Sequence, residues 1–177
     1  NAKDRRSLYY PGEALLALAR YQDLTPTPER AEQLSRASHW MVTRQWRALG
    51  LRLKVLPDAW LSQALELLHL QTGDPALAAH LLKIGDTLAS QQISPTWGAP
   101  DRRGANLRWG MPNVVSVGST AEGFAAVARL ERRVRPGERR FLEHTEASVA
   151  FALRNQYTAP LLFGLRRPEQ ALGGFRD

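Results

Sequence analysis

The sequence predicts an all-α domain made of helical hairpins, and three observations lead to this prediction. First, an acidic residue opens a short Ala/Leu-rich segment three times, at Glu13, Asp58 and Glu122. Second, a turn rich in Pro, Gly or Asp follows each segment and leads into a longer amphipathic segment that ends near a glutamine. Third, only residues 113–117 resemble an extended strand in composition. Recurrence of one unit is typical of repeat architectures, so we expect about six main helices.

The first hairpin is predicted over residues 12–47. Pro11 stands near a helix start, where its missing N–H costs nothing, and the Ala and Leu residues after it follow helical spacing. Thr27 and Pro28 are the residue types of an N-cap and a first helical position. We therefore expect two helices joined by the Thr-Pro-Thr-Pro turn.

The second hairpin is predicted over residues 58–92 and the third over residues 119–155. In the second, a Gly-Asp-Pro turn stops one helix and starts the next. In the third, Ser119 or Thr120 is expected as the N-cap, and a Pro-Gly dipeptide forms the turn. The predicted third hairpin therefore begins after the extended segment and after the long loop that joins it to the second.

Each first helix is short and rich in alanine, whereas each second helix is longer and more charged. Small residues allow neighbours on both sides, so we expect the first helices to form an inner layer and the second helices an outer layer. A tetratricopeptide array repeats about every 34 residues. Here 45 residues separate Glu13 from Asp58 and 64 separate Asp58 from Glu122, which disfavours that alternative. We interpret residues 1–177 as one domain.

Composition limits the partners. The net charge is +7, and 21 of the 24 basic residues are arginine. Two interpretations stay open: affinity for a polyanion, above all an acidic polysaccharide, or arginines on solvated helix faces. Nucleic acid is disfavoured because no basic stretch alternates with aromatic residues. No apolar run reaches the ~18 residues of a membrane span, and the sequence does not fix the compartment.

Metal and cofactor chemistry has no sequence support. The absence of cysteine excludes disulfides and thiolate metal sites. The four histidines are scattered without a metal-ligand spacing. No phosphate-binding or dinucleotide-binding glycine pattern occurs. We therefore expect no metal and no cofactor.

The loop over residues 93–118 is the most promising irregular segment. Structureless loops beyond ~12–15 residues are usually functional or disordered, and this loop has aromatic and basic residues that disordered linkers lack. Its candidate binding residues are Trp97, Arg102, Arg103, Arg108 and Trp109.

The segments YYPGEALLALAR, PDAWLSQALELLHLQTGDP and STAEGFAAVARL, with a Gln and an aromatic or Gly-rich loop after each hairpin, resemble the six-hairpin α/α-toroid superfamily. That superfamily includes glycoside hydrolases, unsaturated-uronide hydrolases and uronyl epimerases. The resemblance implies parallel inner helices around a central cavity. Three hairpins do not close a six-hairpin ring, so it also implies a partial toroid that a partner chain or a further segment completes.

In such a toroid the N-termini of the inner helices meet at one end of the cavity. Glycosyl transfer uses two carboxylates about 5–9.5 Å apart, one as acid and one as base or nucleophile. The resemblance implies Asp58 and Glu122 as the candidate catalytic pair, with Glu13 assisting. The alternative is that all three stabilise helix N-termini, where acidic residues are favoured in any protein.

The remaining candidates would bind substrate. Aromatic rings that stack on sugar faces are expected at hairpin ends, and the arginines of the long loop suit a bidentate contact with a uronate carboxylate; core packing and solvation are the alternatives. The full set of predicted substrate-binding residues is Tyr10, Trp60, Trp97, Arg102, Arg103, Arg108, Trp109 and Phe175.

The predicted function is that of a carbohydrate-processing or carbohydrate-binding domain for an acidic, uronate-containing oligosaccharide or polysaccharide. If it is an enzyme, the expected class is a glycoside hydrolase, lyase or sugar epimerase. A periplasmic or extracellular location would suit action on a polysaccharide. The alternative is a non-catalytic helical repeat module that binds a polysaccharide or a protein.

Overall fold

The structure, a computed structural model, describes residues 10–50, 54–93, 100–107 and 113–175. These ranges contain eight α-helices and no β-strand, which confirms the all-α prediction. The helices are α1 (Tyr10–Leu24), α2 (Pro28–Thr43), α3 (Gln45–Ala48), α4 (Ala59–Thr72), α5 (Pro75–Ala89), α6 (Val114–Val134), α7 (Arg140–Arg154) and α8 (Pro168–Ala171). Short 3-10 turns span Pro100–Arg102 and Ala159–Leu162. Among the described helices, none is both long and apolar enough to cross a bilayer.

The predicted hairpins correspond to α1–α2, α4–α5 and α6–α7, and the turns of the first two use the predicted caps. The Thr27 hydroxyl accepts the backbone N–H of Arg30 at 3.2 Å. The Asp74 carboxylate accepts the backbone N–H of Ala76 at 2.8 Å. Such caps satisfy donors that a helix start leaves unpaired. The second helix of the first hairpin is interrupted at Arg44, which separates α2 from α3.

Helix α6 begins earlier than the sequence predicts. Residues 114–117, predicted as extended, are helical: Asn113 is the N-cap, and its Oδ1 accepts the Ser116 N–H at 2.8 Å. The predicted cap Thr120 lies inside the helix and donates its hydroxyl to the Ser116 carbonyl at 2.9 Å. Val114 and Val117, three residues apart, are both buried. Packing of one helical face therefore outweighs the weak strand preference of valine.

The helices form two layers. In the inner layer α1 packs on α4 and α4 packs on α6, while α2, α5 and α7 make the corresponding outer layer. Glycines let the inner helices approach closely. A Cβ atom on Gly12 would lie 2.5 Å from Asp58 Oδ2 and 2.8 Å from the Leu61 nitrogen, and one on Gly123 would lie 3.2 Å from the Ala59 Cα. The start of α4 is therefore held between α1 and α6.

The main core lies between the layers. It consists of the inward-facing leucines of α4 and the aliphatic and aromatic residues that the neighbouring hairpins contribute, among them Leu15, Leu34, Leu61, Leu65, Leu81, Ile84, Phe124, Val127 and Phe141. A smaller cluster joins the loop after α5 to the start of α6 and the end of α7, through Ile93, Ala105, Val114, Val117 and Phe151. This second cluster attaches the loop to the third hairpin.

Candidate functional site

The exposed side of the inner layer carries hydrogen-bonded side chains from three helices, near the starts of α1 and α4 and two turns into α6. The Trp60 indole N–H donates to the Glu13 carboxylate. One turn further along α4, Gln63 Nε2 donates to Glu122 Oε2 at 3.3 Å. Glu13 and Glu122 are exposed, while Trp60 and Gln63 are half-buried. We call these four residues, together with Arg129, the inner face.

Asp58 has a different environment from the other two candidate acids. It is 3% exposed, and its Oδ1 accepts the backbone N–H of Trp60 at 2.9 Å and of Leu61 at 3.2 Å. This is the geometry of an N-cap. The structure thus places Glu13 and Glu122 on the inner face, on either side of α4, and places Asp58 beneath that face as the cap of α4.

A cluster of opposite charges lies two turns further along the same helices. Arg129 Nε donates to both oxygens of Glu66 at 2.9 Å, its Nη2 donates to Oε2 at 2.5 Å, and Arg133 Nη1 donates to Oε1 at 3.0 Å. The Glu66 side chain is 7% exposed, whereas those of Arg129 and Arg133 are 44% and 41% exposed. The hydrogen bond with Glu66 raises the pKa of Arg129, which burial opposes. The guanidinium groups therefore present a cationic surface beside the glutamates.

This cluster was not among the predicted site residues, although the spacing of its members in the sequence indicates it. Arg129 follows Glu122 by seven residues and Arg133 follows Arg129 by four, spacings that place all three on one side of a helix. At 1.5 Å per residue, Arg129 lies about 10 Å along α6 from Glu122. The inner face is thus acidic at Glu13 and Glu122 and basic about two turns further along α6.

The other predicted binding residues lie at the start of α1, in the segments after α5 and α7, or outside the described residues. Arg102 is exposed and Arg103 half-buried in the loop after α5, where the Arg103 carbonyl accepts from Arg154 of the outer layer. Tyr10 is exposed at the start of α1, and Phe175 is exposed in the loop after α7. Three more predictions, Trp97, Arg108 and Trp109, fall outside the described residues.

The loop after α5 is fixed by a buried hydrogen-bonded group that we call the Gln92 cluster: Gln92, Gly104, His144 and Ser148. Gln92 Nε2 donates to the Gly104 carbonyl at 3.3 Å, the His144 carbonyl at 2.9 Å and Ser148 Oγ at 2.8 Å. Gln92 Oε1 lies 2.5 Å from His144 Nδ1. Since an amide oxygen only accepts, we assign the proton to Nδ1 of His144. The cluster joins the end of the second hairpin to the third.

The same connection recurs after α7. Gln156 Nε2 donates to the Gly173 carbonyl at 2.9 Å, as Gln92 does to Gly104. Both glycines have left-handed backbones, with φ of 84° and 85°. Backbone pairing also repeats: Tyr157 N donates to Gly174 O at 2.7 Å, as Ile93 N does to Ala105 O at 2.8 Å. A glutamine that anchors a returning glycine is thus a structural repeat of this chain, with Gln92 after the second hairpin and Gln156 after the third.

Within the described ranges, no group of three or more His, Asp or Glu side chains is arranged to hold a metal ion. No protein-family model, curated protein or solved structure matches this chain. The function is therefore inferred from the geometry of the inner face.

Two partly buried histidines, His80 and His144, should make the stability of the protein depend on pH. Burial, and to a smaller extent Lys83, lowers the pKa of His80 to about 4. Burial and Arg140 also lower the pKa of His144, while Glu143 acts in the opposite direction. Both histidines take up a proton at a higher pH in the unfolded chain than in the folded chain. We therefore expect full stability above about pH 6.5 and a progressive loss below it. The titration of His80 alone should lower the free energy of unfolding by about 2 to 3 kcal/mol at pH 4.

Urea denaturation at pH 7.5, 6, 5 and 4 measures this effect. His80→Gln should flatten the profile more than His144→Asn, and a variant of the exposed His39 serves as the control. A wild-type free energy of unfolding that is constant from pH 7.5 to pH 4.5 would contradict the prediction.

Proposed function

We propose that the inner face binds an acidic, uronate-containing oligosaccharide. The observation that carries the proposal is the Trp60 ring, oriented by Glu13 and flanked by a second exposed glutamate on the next helix. Aromatic rings supply large apolar contact to the flat face of a sugar, while carboxylates and amides accept and donate hydrogen bonds to hydroxyl groups.

The charge distribution supports an acidic sugar rather than a neutral one. Arg129 and Arg133 are partly exposed beside the glutamates, and each retains N–H groups beyond those bonded to Glu66. A guanidinium group pairs with a carboxylate bidentately. In the proposed complex a uronate carboxylate contacts Arg129, and the neighbouring sugar unit lies over Trp60.

Binding is favoured over two-carboxylate catalysis. Glu13 and Glu122 belong to helices that both pack on α4, and neighbouring helix axes lie about 8–10 Å apart. Glu13 and Glu122 each accept from a neutral side chain of α4, the Trp60 indole and the Gln63 amide, rather than pairing with each other. Asp58, the other candidate acid, caps α4. Our proposal assigns Glu13 and Glu122 to ligand binding and Asp58 to the scaffold, within a domain of the α/α-toroid type.

Calorimetric titration with a galacturonate tetramer, and with a neutral galactose tetramer of the same linkage, tests the proposal. We expect Trp60→Ala to weaken binding of both at least tenfold, because the stacking platform is lost. Arg129→Gln should weaken binding of the acidic tetramer alone by about tenfold. Trp46→Ala, a tryptophan beside Arg47 on α3, is the matched control and should leave binding unchanged.

Two results would refute this function: no heat with either tetramer at millimolar concentration, or equal losses in Trp60→Ala and Trp46→Ala. An assay for new reducing ends with the same tetramers tests the enzymatic alternative. Turnover that disappears in Glu122→Gln and Asp58→Asn at unchanged melting temperature would favour catalysis over binding.

A further inference from the structure

The middle hairpin shows how this chain packs one hairpin on another. Gly85 of α5 contacts two side chains of the third hairpin: a Cβ atom there would lie 2.7 Å from both Val127 Cγ1 and Phe141 Cε1. Gly123 of α6 in turn lies against Leu88. The space between α4 and α5 is thus filled by apolar side chains of the next hairpin, and α4–α5 is covered on both sides.

In the third hairpin the corresponding space, between α6 and α7, is an open groove. The groove has a volume of about 370 Å³, and its apolar lining includes Ala125, Ala128 and Leu142. Charged residues of both signs also line it: Arg129 of the inner face, Glu131, Arg132, Glu138 and Arg139. Leu142 is 38% exposed there. We call this groove the third-hairpin edge.

The loop after α7 repeats the loop after α5 but differs in what covers it. Asn106 of the earlier loop accompanies Thr120 of α6, to which its Nδ2 donates at 3.1 Å, and Ile93 of that loop is buried against α6. In the later loop Phe163 is 98% exposed and Leu172 is 59% exposed. The internal repeat therefore identifies the kind of element that fits here: a helical hairpin of the same design.

The first hairpin carries an apolar groove on its own outer edge. It encloses about 260 Å³ between α1 and α2, and its lining consists of Pro11, Ala14, Leu15, Leu18, Ala37, Trp40 and Met41, without a charged side chain. Leu18 is 48% exposed and Trp40 is 42% exposed. We call this groove the first-hairpin edge.

We propose that the first-hairpin edge of one copy of this chain packs on the third-hairpin edge of a second copy, head to tail. The chain already makes this type of junction internally between the second and third hairpins, with Gly85 and Gly123 at the closest approach and Val127 and Phe141 packed against α5. Leu18 and Trp40 are partly exposed on one edge, and the other edge offers a groove with Ala125, Ala128 and Leu142 between charged side chains. Because the two surfaces differ, the contact is heterologous rather than symmetric.

Sedimentation velocity of the full chain from about 2 to 200 µM tests this inference. We expect the mass to rise with concentration from the 19.8 kDa of the chain to at least about twice that value. Leu18→Glu and Leu142→Glu each alter one edge at a partly exposed position, and each variant alone should remain monomeric. An equimolar mixture should form a one-to-one dimer, because each variant retains the edge that the other has lost.

The matched control is Leu24→Glu, an 80% exposed leucine of α1 outside both grooves, which should associate as wild type does. Circular dichroism establishes that every variant is folded. A wild-type chain that stays monomeric at 200 µM overturns the inference. Association of Leu18→Glu by itself, or a mixture that stays monomeric, overturns the head-to-tail arrangement.

Discussion

Replacement of Gly104 by alanine should destabilise the protein by about 3 to 4 kcal/mol and release the loop after α5. Two effects add up at this residue. Its φ of +85° is a left-handed conformation that side chains other than glycine adopt only with strain. A Cβ atom would also overlap the Ala147 carbonyl of α7, a backbone group that does not move without displacing the helix.

Gly173 is a matched control for this prediction. It has the same position in the repeated loop, a φ of +84° and the same type of glutamine partner, but no atom within 4 Å of an added Cβ. We expect Gly173→Ala to cost about 1 to 2 kcal/mol, from backbone strain alone. Urea denaturation gives both values, and limited proteolysis reports on the loop. Equal costs in the two variants would show that the contact with α7 is unimportant.

Replacement of Glu66 by alanine should cost about 2 to 3 kcal/mol. Glu66 is 5% exposed and accepts four hydrogen bonds from Arg129 and Arg133, which join α4 to α6. Loss of one member of a buried pair typically costs about 3 to 5 kcal/mol. The expected value is lower here because both arginines are partly exposed and regain water.

Glu32→Ala is the control for charge removal. Glu32 pairs with Arg36 one turn away on α2, with side chains 71% and 63% exposed, and such surface pairs contribute about 0.5 kcal/mol or less. A double-mutant cycle between Glu66→Ala and Arg129→Ala should give a coupling energy above about 1 kcal/mol. A coupling energy near zero would mean that Glu66 acts through packing and not through its arginine partners.

The Glu66→Ala variant should also change ligand binding at the inner face. Because Glu66 orients Arg129, its removal should weaken binding of the galacturonate tetramer while leaving that of the neutral tetramer nearly unchanged. The binding proposal and the structural role of Glu66 are thus separable by experiment.

The helices and their turns could be predicted from the sequence because their signals are local. Thr27 and Asp74 each precede a proline at a helix start, and the apolar stripes of α1, α4 and α5 have helical spacing. The start of α6 could not be predicted in this way. Two valines and a serine after Asn113 have weak local preferences, and contacts with Ile93 and Phe151 in distant segments decide the conformation.

The candidate site, like the fold, could be predicted only in part from the sequence. Glu13, Asp58 and Glu122 were predicted at helix starts, but Glu122 lies two turns inside the helix because α6 begins at Val114. The environments of the three acids were not visible in the sequence. Asp58 differs from Glu13 because Gly12 packs directly on it and its side chain turns toward the backbone of α4. The partners of the two glutamates, Trp60 and Gln63, come from a different helix.

By itself, then, the sequence determined the all-α class, the three hairpins and the positions of Glu13 and Asp58 near helix starts, because periodicity, caps and turn residues act over a few neighbouring positions. The tertiary structure decided which of those acids face solvent and which one is buried. It also decided that Arg129 and Arg133 meet Glu66 and that Gln92 anchors Gly104. These pairs lie 12 to 67 residues apart in the chain, and only the packing of whole helices brings them within hydrogen-bonding distance.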